Sequence, residues 1–374
     1  MSFAFGFTGD DIDADPTQQA HDRPGNTHGS GAQDARPTVQ VTAFPIQGKP
    51  QLAPLRHDVQ SMLLNMPSKI AFGMLHIRLD DEQVIELPRR ELWDIKVQAM
   101  AEEDHDIGHL SEGLGEHDVK TGVYEGGFKS WESSVDLVKV LASRNHPRLW
   151  VHDFVRVIEL GCGTALPSLA LLQWVLTTRK SYATNKRTAF ILADYNPTVL
   201  QLVTLPNLIL TWALSCRDII PALQSAFSTD DELELTPAVL GAFQSHLSSH
   251  HIELDFLSGG WSEDFIELLY STEQSQSQLS ERHDLTTILL GAETIYSPFA
   301  LQAFTEVVLS ILRREKCGKT NCSSAWVAAK RLYFGVGGSL DDFVDGIQRR
   351  GASVAILREE VDGVRRGVVH CTLP

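Results

Sequence analysis

The chain is 374 residues long, roughly two to three times the commonest domain size, so one large domain with appendages and two unequal domains are both open. Hydrophobic residues make up 43% and charged residues 21%, an ordinary globular composition that excludes a chain disordered throughout. With 32 Lys and Arg against 48 Asp and Glu the net charge is −16, and a surface that acidic repels nucleic acid and favours a basic protein as partner.

The acidity is concentrated at the front: residues 1–120 hold 10 Lys and Arg against 20 Asp and Glu. Residues 1–50 are rich in Asp, Gly, Pro, Gln and Thr without apolar periodicity after the opening Phe3, Phe5 and Phe7, and are expected to be an acidic, disordered segment. Residues 51–120 are expected to form an extension packed on the main domain. Met74 to Leu79 alternates like a strand there, and Glu91 to Ala101 carries Leu92, Ile95 and Ala99 at helical spacing.

From residue 121 helices and strands alternate. Trp131, Val135, Val138 and Ala142 predict a helix, Phe154 to Leu160 a buried strand and Pro167 to Leu176 a helix. Ala189 to Ala193 follows as a strand, Val199 to Leu214 as a helix broken near Pro206, Ile252 to Leu257 as a strand and Ser262 to Leu269 as a helix. Leu285 to Gly291 and Ser324 to Ala329 read as strands, Phe299 to Arg313 and Leu340 to Arg349 as helices. Ser353 to Glu359 and Gly367 to Leu373 close the chain as a hairpin. Strand and helix in alternation predict an α/β, doubly wound, mostly parallel seven-stranded sheet with an antiparallel C-terminal hairpin. Residues 177–188 and 228–251 carry extra length without a strand and are expected to be surface insertions.

Five cysteines, Cys162, Cys216, Cys317, Cys322 and Cys371, are an odd and scattered set that suits a reducing compartment better than a disulfide framework. Cys317 and Cys322 lack a second ligand pair, and His105, His109, His250 and His251 lack a ligand pattern and are expected to be solvated, so no metal is expected. The most apolar stretch, Ala165 to Leu176, is well short of the ~20 residues a membrane span needs, and no signal peptide is visible. The expectation is a soluble protein without a membrane partner.

Two motifs carry chemistry. Val157 to Thr164, VIELGCGT, is a strand ending in Glu159 followed by a turn in which Gly161 and Gly163 let the backbone come close to a ligand. The third glycine of the dinucleotide fingerprint is absent, so alone this motif is also compatible with a purely structural turn. The next strand ends in Asp194, Tyr195 and Asn196, placing an acid where it accepts hydrogen bonds from ribose hydroxyls; a helix cap before Pro197 is the alternative. Together they point to an adenosine-containing ligand.

The inserted antiparallel strand resembles the Class I, seven-strand methyltransferases, and the resemblance becomes specific at Lys120 to Glu132, KTGVYEGGFKSWE. Read with Glu159 to Gly163, Asp194 to Asn196, Thr204 to Asn207, Ser258 to Trp261, Glu293 to Tyr296 and Tyr333 to Gly338, the chain is similar to the protein-histidine methyltransferases that modify a large-subunit ribosomal protein, fungal members included. The likeness runs from about Arg90 to the C-terminus. It implies S-adenosylmethionine as cofactor and a basic ribosomal protein as substrate. Trp131 and Glu132 then match the segment at the cofactor's methionine end, Glu159, Gly161 and Gly163 the glycine turn, and Asp194, Tyr195 and Asn196 the adenosine-contacting strand end. Gly260 and Trp261 match the segment beside the adenine, and Ala292, Glu293 and Tyr296 the motif after the fourth strand, with Glu293 and Tyr296 facing substrate. Departures are Ala165 for a commoner glycine and Gly260 where relatives often carry Glu.

Methyl transfer from a sulfonium is an in-line displacement, in which alignment and exclusion of water supply most of the acceleration. Imidazole, with a pKa of about 6.5, is mostly neutral at neutral pH, so Glu293 or Tyr296 has only to orient the ring. A lysine acceptor, at about 10.4, needs a site that removes its proton. The residues alone leave both acceptors open, with a non-catalytic ribosome-assembly scaffold as a third reading. Nucleic acid is disfavoured because Ala292 to Tyr296, AETIY, stands where amino-methyltransferases of bases carry Asn/Asp-Pro-Pro-aromatic. A monomer in the cytoplasm and nucleus is expected, although the arginine pairs beginning at residues 89, 313, 349 and 365 form no import cluster.

Overall fold

A computed structural model describes residues 12–13, 51–101, 119–120, 127–144, 152–179, 186–227, 229, 231–271, 285–316, 322–333 and 337–374. Most of the acidic segment 1–50, His105, His109, Cys317, the middle of the 177–188 insertion and parts of the motifs at 120–132 and 333–338 lie outside the described residues.

The main sheet has eight strands. β1 (Leu55–His57) comes from the segment before the methyltransferase-like region. Then come β4 (Phe154–Leu160), β5 (Arg187–Asp194), β7 (Ile252–Ser258), β8 (Leu285–Ala292), β9 (Cys322–Lys330), β10 (Ser353–Glu360) and β11 (Arg366–Thr372). Their spatial order is β10-β11-β9-β8-β4-β5-β7-β1. β4, β5, β7, β8 and β9 are parallel neighbours, β11 runs antiparallel between β9 and β10, and β1 pairs antiparallel with β7. This is the doubly wound sheet expected, with one extra edge strand. Three further strands, β2 (Lys69–Arg78), β3 (Val84–Arg90) and β6 (Glu232–Glu234), form an antiparallel sheet in the order β3-β2-β6, and Ile12–Asp13 pairs in parallel with Val119–Lys120.

Consecutive residues of the central strands feed opposite layers, so apolar residues stand on both of their faces. Val155 and Val157 of β4 join one core with α1 (Val59–Leu64), α3 (Glu132–Arg144), α4 (Leu166–Arg179), α5 (Pro197–Cys216), α6 (Pro237–Ser249) and the β2–β3 hairpin, while Ile95 and Ala99 of α2 (Leu92–Ala101) cluster with Val199 and Val203. Ile158 and Leu160 join the other, with α7 (Glu263–Tyr270), α8 (Pro298–Glu315) and α9 (Leu340–Arg349). Helices α6 to α9 start on Thr236, Ser262, Ser297 and Ser339, whose hydroxyls accept from the backbone N–H three residues on.

Three expectations are corrected. The 228–251 region is not a strandless surface insertion: Glu232–Glu234 pairs with β2, and Val239, Phe243 and Leu247 of α6 are core residues, Phe243 packing edge-on against Trp212. His250 is half-buried and stacked on His246, with ring centroids 4.0 Å apart. Pro206 does not break its helix. A π turn at Leu200–Thr204 precedes it, and the Leu202 carbonyl, which a proline cannot serve, accepts from the buried Arg90 guanidinium at 2.9 Å. The resulting 20-residue helix is apolar and long enough to cross a bilayer, yet 83% of its most apolar window is buried within the fold.

The registers bring the carboxyl ends of β4, β5, β7 and β8 to one edge. Glu159 sits opposite Leu192 and Leu290, Asp194 opposite Ser258, and Ala292 opposite Ala328. In open α/β sheets this edge is where a ligand crevice forms.

Candidate functional site

A cleft opens at that edge, lined by the turn after β4, the ends of β5 and β8 and the segment leading into α3. Its floor is the turn after β4. Gly161 and Gly163 have φ of +65° and +48°, the left-handed region that favours glycine. A Cβ on Gly161 would stand 2.6 Å from Thr294 Cγ2, and one on Gly163 would stand 3.1 Å from the Gly127 carbonyl oxygen. The turn is buttressed from α5: Thr204 Oγ1 donates to the Gly163 carbonyl at 2.7 Å, and Asn207 Nδ2 donates to the Thr164 carbonyl at 3.1 Å.

Asp194, at the end of β5, is buried on the cleft wall. Its Oδ2 accepts from the Gly163 N–H at 2.9 Å and its Oδ1 from the Asn196 N–H at 3.1 Å. The carboxylate thus locks the glycine turn to the second strand; Asn196, with no side-chain cap bond, occupies the N-cap position. Glu159 is buried beside it. Ser168 N–H donates to its Oε2 at 3.1 Å and the Ser168 hydroxyl donates to the same oxygen. Burial pushes the Glu159 carboxyl up from 4.5 to about 8, with the Asp194 charge adding to the effect and the Ser168 hydrogen bonds opposing it.

At the other end of the cleft stands Glu293, buried, with φ of +58°. Ser133 donates its hydroxyl to Glu293 Oε1 and Tyr333 donates its hydroxyl to Oε2. Burial pushes the Glu293 carboxyl up, against the Lys330 ammonium, these two hydrogen bonds and Arg366. Burial and the Glu293 charge push the Tyr333 phenol well above its ordinary value, which keeps it a donor. Lys330 lies over the Trp131 ring, 4.9 Å from its centroid. Trp131, Ala292 and Tyr296 complete this wall.

Ten of the thirteen residues singled out from sequence line the cleft: Trp131, Glu159, Gly161, Gly163, Asp194, Tyr195, Trp261, Ala292, Glu293 and Tyr296. Glu132, Asn196 and Gly260 are beside it rather than on its wall. Glu132 binds Arg366 at 2.7 Å, and the Gly260 N–H donates to the Leu52 carbonyl at 2.9 Å. Trp261 is also packed 5.5 Å from Phe304, so it serves both core and cleft. Residues missed at the level of role are Thr204 and Asn207, Ser133, Tyr333 and Lys330, and Thr294. The threonine's Oγ1 is buried without a hydrogen-bond partner on the cleft wall. A positive-φ glycine turn, two strand-end acids, two tryptophans and an unsatisfied hydroxyl fit a nucleoside with a charged tail.

The chain matches no protein-family model. It is 34% identical over 363 residues to Histidine protein methyltransferase 1 of Saccharomyces cerevisiae, covering 92% of this chain and 89% of that protein. It is 28% identical over 361 residues to Histidine protein methyltransferase 1 of Schizosaccharomyces pombe, covering 94% and 91%. To the Histidine protein methyltransferase 1 homolog of Bos taurus it is 29% identical over 266 residues, covering 70% and 60%.

Proposed function

This chain belongs to the histidine protein methyltransferase family, an S-adenosylmethionine-dependent group, and from that premise we propose that it methylates a ring nitrogen of a histidine in a basic protein of the large ribosomal subunit. The observation that carries the histidine reading at the level of the site is Glu293, a buried carboxylate on the cleft wall held on both oxygens by Ser133 and Tyr333.

When bound, S-adenosylmethionine supplies an electrophilic methyl group carried on a sulfonium. Gly161, Gly163, Asp194, Tyr195 and Trp261 are the residues proposed to hold its nucleoside, and Glu159 and Trp131 its amino-acid tail. Each Glu293 oxygen has a second lone pair beyond the one its Ser133 or Tyr333 bond uses, so the carboxylate accepts the N–H of one imidazole nitrogen and turns the lone pair of the other into the cleft. Tyr296 bounds the ring from the same loop. The walls exclude water, and alignment supplies the greater part of the acceleration. Little proton removal is asked of the protein, because the acceptor is already neutral at neutral pH.

The basic partner is favoured by the net charge of −16, half or more of it carried in residues 1–120. We place the protein as a monomer in the cytoplasm and nucleus, acting on neither nucleic acid nor membrane. Intact-mass and fragment analysis of ribosomal proteins from cells with and without the chain tests the reading. A methyl increment on a histidine of one large-subunit protein, lost with the chain, supports it; identical spectra reject it.

A further inference from the structure

Two cations stand near Glu293, one on each of two neighbouring strands. Lys330 ends β9 and Arg366 begins β11, and the antiparallel register sets them opposite each other. Arg366 is taken up by α3, where it binds Glu132 and Asp136, each at 2.7 Å. Lys330 is held differently. Its ammonium lies over the rings of Trp131 and Tyr333, 4.9 Å and 5.7 Å from their centroids, and it forms no ion pair among the described residues.

Both rings belong to the site. Trp131 lines the cleft, and the Tyr333 hydroxyl donates to Glu293 Oε2 while accepting from the Lys330 backbone N–H at 3.4 Å. An aromatic face attracts a cation without neutralising it, so the ammonium is fixed beside Glu293 with its charge intact. The direct partners of the carboxylate, Ser133 and Tyr333, are neutral hydroxyls. Burial favours the protonated acid, which turns one oxygen from acceptor into donor. Of the groups that oppose burial, Lys330 is the strongest, ahead of Ser133, Tyr333 and Arg366.

We propose that Lys330 is a positioning residue for methyl transfer: from its seat on Trp131 and Tyr333 it keeps Glu293 anionic, and so able to accept the imidazole N–H. This rests on reading Glu293 as the group that orients the imidazole. A lysine ion-paired directly to the carboxylate would occupy its remaining lone pairs, whereas a lysine placed on the rings leaves them for the acceptor.

Initial rates of transfer from methyl-labelled S-adenosylmethionine into methyl-histidine of large-subunit ribosomal proteins, taken with the full chain from about pH 5.5 to about pH 9, test this. The imidazole's own titration, near about 6.5, is common to every enzyme compared, so a difference between profiles belongs to the protein. Lys330→Met keeps the stem and drops the charge, and Lys330→Gln is a polar second variant. Without the cation the Glu293 carboxyl takes up its proton at higher pH. Both variants are therefore expected to lose about tenfold near pH 6.5 and less than about threefold near pH 9, with S-adenosylhomocysteine affinity unchanged by calorimetry. Lys330→Arg is expected to recover the wild-type profile. Profiles of the neutral variants that superimpose on that of wild type, or a loss by the same factor at every pH, overturn the proposal. Wild type placing no label in methyl-histidine overturns the reading of Glu293 beneath it.

Discussion

The Tyr333 hydroxyl donates to Oε2 of Glu293, which stands 40 residues earlier in the chain at a positive φ on the wall of the cleft. With Ser133 on the other oxygen, the carboxylate has a single orientation. Tyr333→Phe removes one of these bonds, and hydrogen bonds to charged groups contribute about 1.5–3 kcal/mol. Methyl transfer is expected to fall about tenfold, with S-adenosylmethionine affinity unchanged by calorimetry. Glu293→Gln, which loses the charge as well, is expected to fall about a hundredfold. Equal losses in affinity and turnover would instead place Tyr333 in general packing.

Gly161→Ala sets a methyl 2.6 Å from Thr294 Cγ2 on a backbone of φ +65°. A left-handed conformation costs a non-glycine residue about 1–2 kcal/mol, and the new methyl also enters the floor of the cleft. The variant is expected to fold with a lowered melting temperature and to show no heat of S-adenosylmethionine binding. Wild-type affinity in that titration would remove the turn from the cofactor site.

Asp194→Ala releases both the Gly163 and the Asn196 amides. Cofactor affinity is expected to drop about tenfold or more, because the turn is no longer tied to the second strand. Unchanged affinity would confine Asp194 to a structural role.

Glu159 gives a pH signature. Its folded value of about 8 lies above its ordinary 4.5, so the folded protein holds a proton that the unfolded chain releases. The stability this contributes is complete below about 4.5 and is lost as pH climbs towards 8. Glu159→Gln mimics the neutral form and keeps an acceptor for Ser168. Between pH 5.5 and 8.5 its melting temperature is expected to gain roughly 2–4 °C on that of wild type. Parallel melting curves across that range would mean that Glu159 is ionised in the fold.

The parallel sheet is legible in the sequence because its strands are buried on both faces: the mostly apolar run Phe154–Leu160 has the same bounds as β4. Strands β1 and β6 have three residues each, too few to show a period, and they are recognisable only through the partners they pair with. The continuity of the helix through Pro206 is not legible locally, because the group that serves the Leu202 carbonyl, Arg90, is more than a hundred residues away in sequence. The same applies to the site. The glycine turn and the strand-end acids are local patterns, and they line the cleft as expected. Ser133 and Tyr333 approach Glu293 from 160 and 40 residues away, and such juxtapositions leave no local trace. Gly260 is the instructive case: its side-chain position, expected beside the adenine, is filled by the Gln51 amide instead.

Transfer of a methyl group to histidine is measured most directly by acid hydrolysis and amino-acid analysis after incubating the full chain with methyl-labelled S-adenosylmethionine and large-subunit ribosomal proteins. Label is expected in methyl-histidine, and is expected to be lost in Glu293→Gln. Label in methyl-lysine with none in methyl-histidine would contradict it.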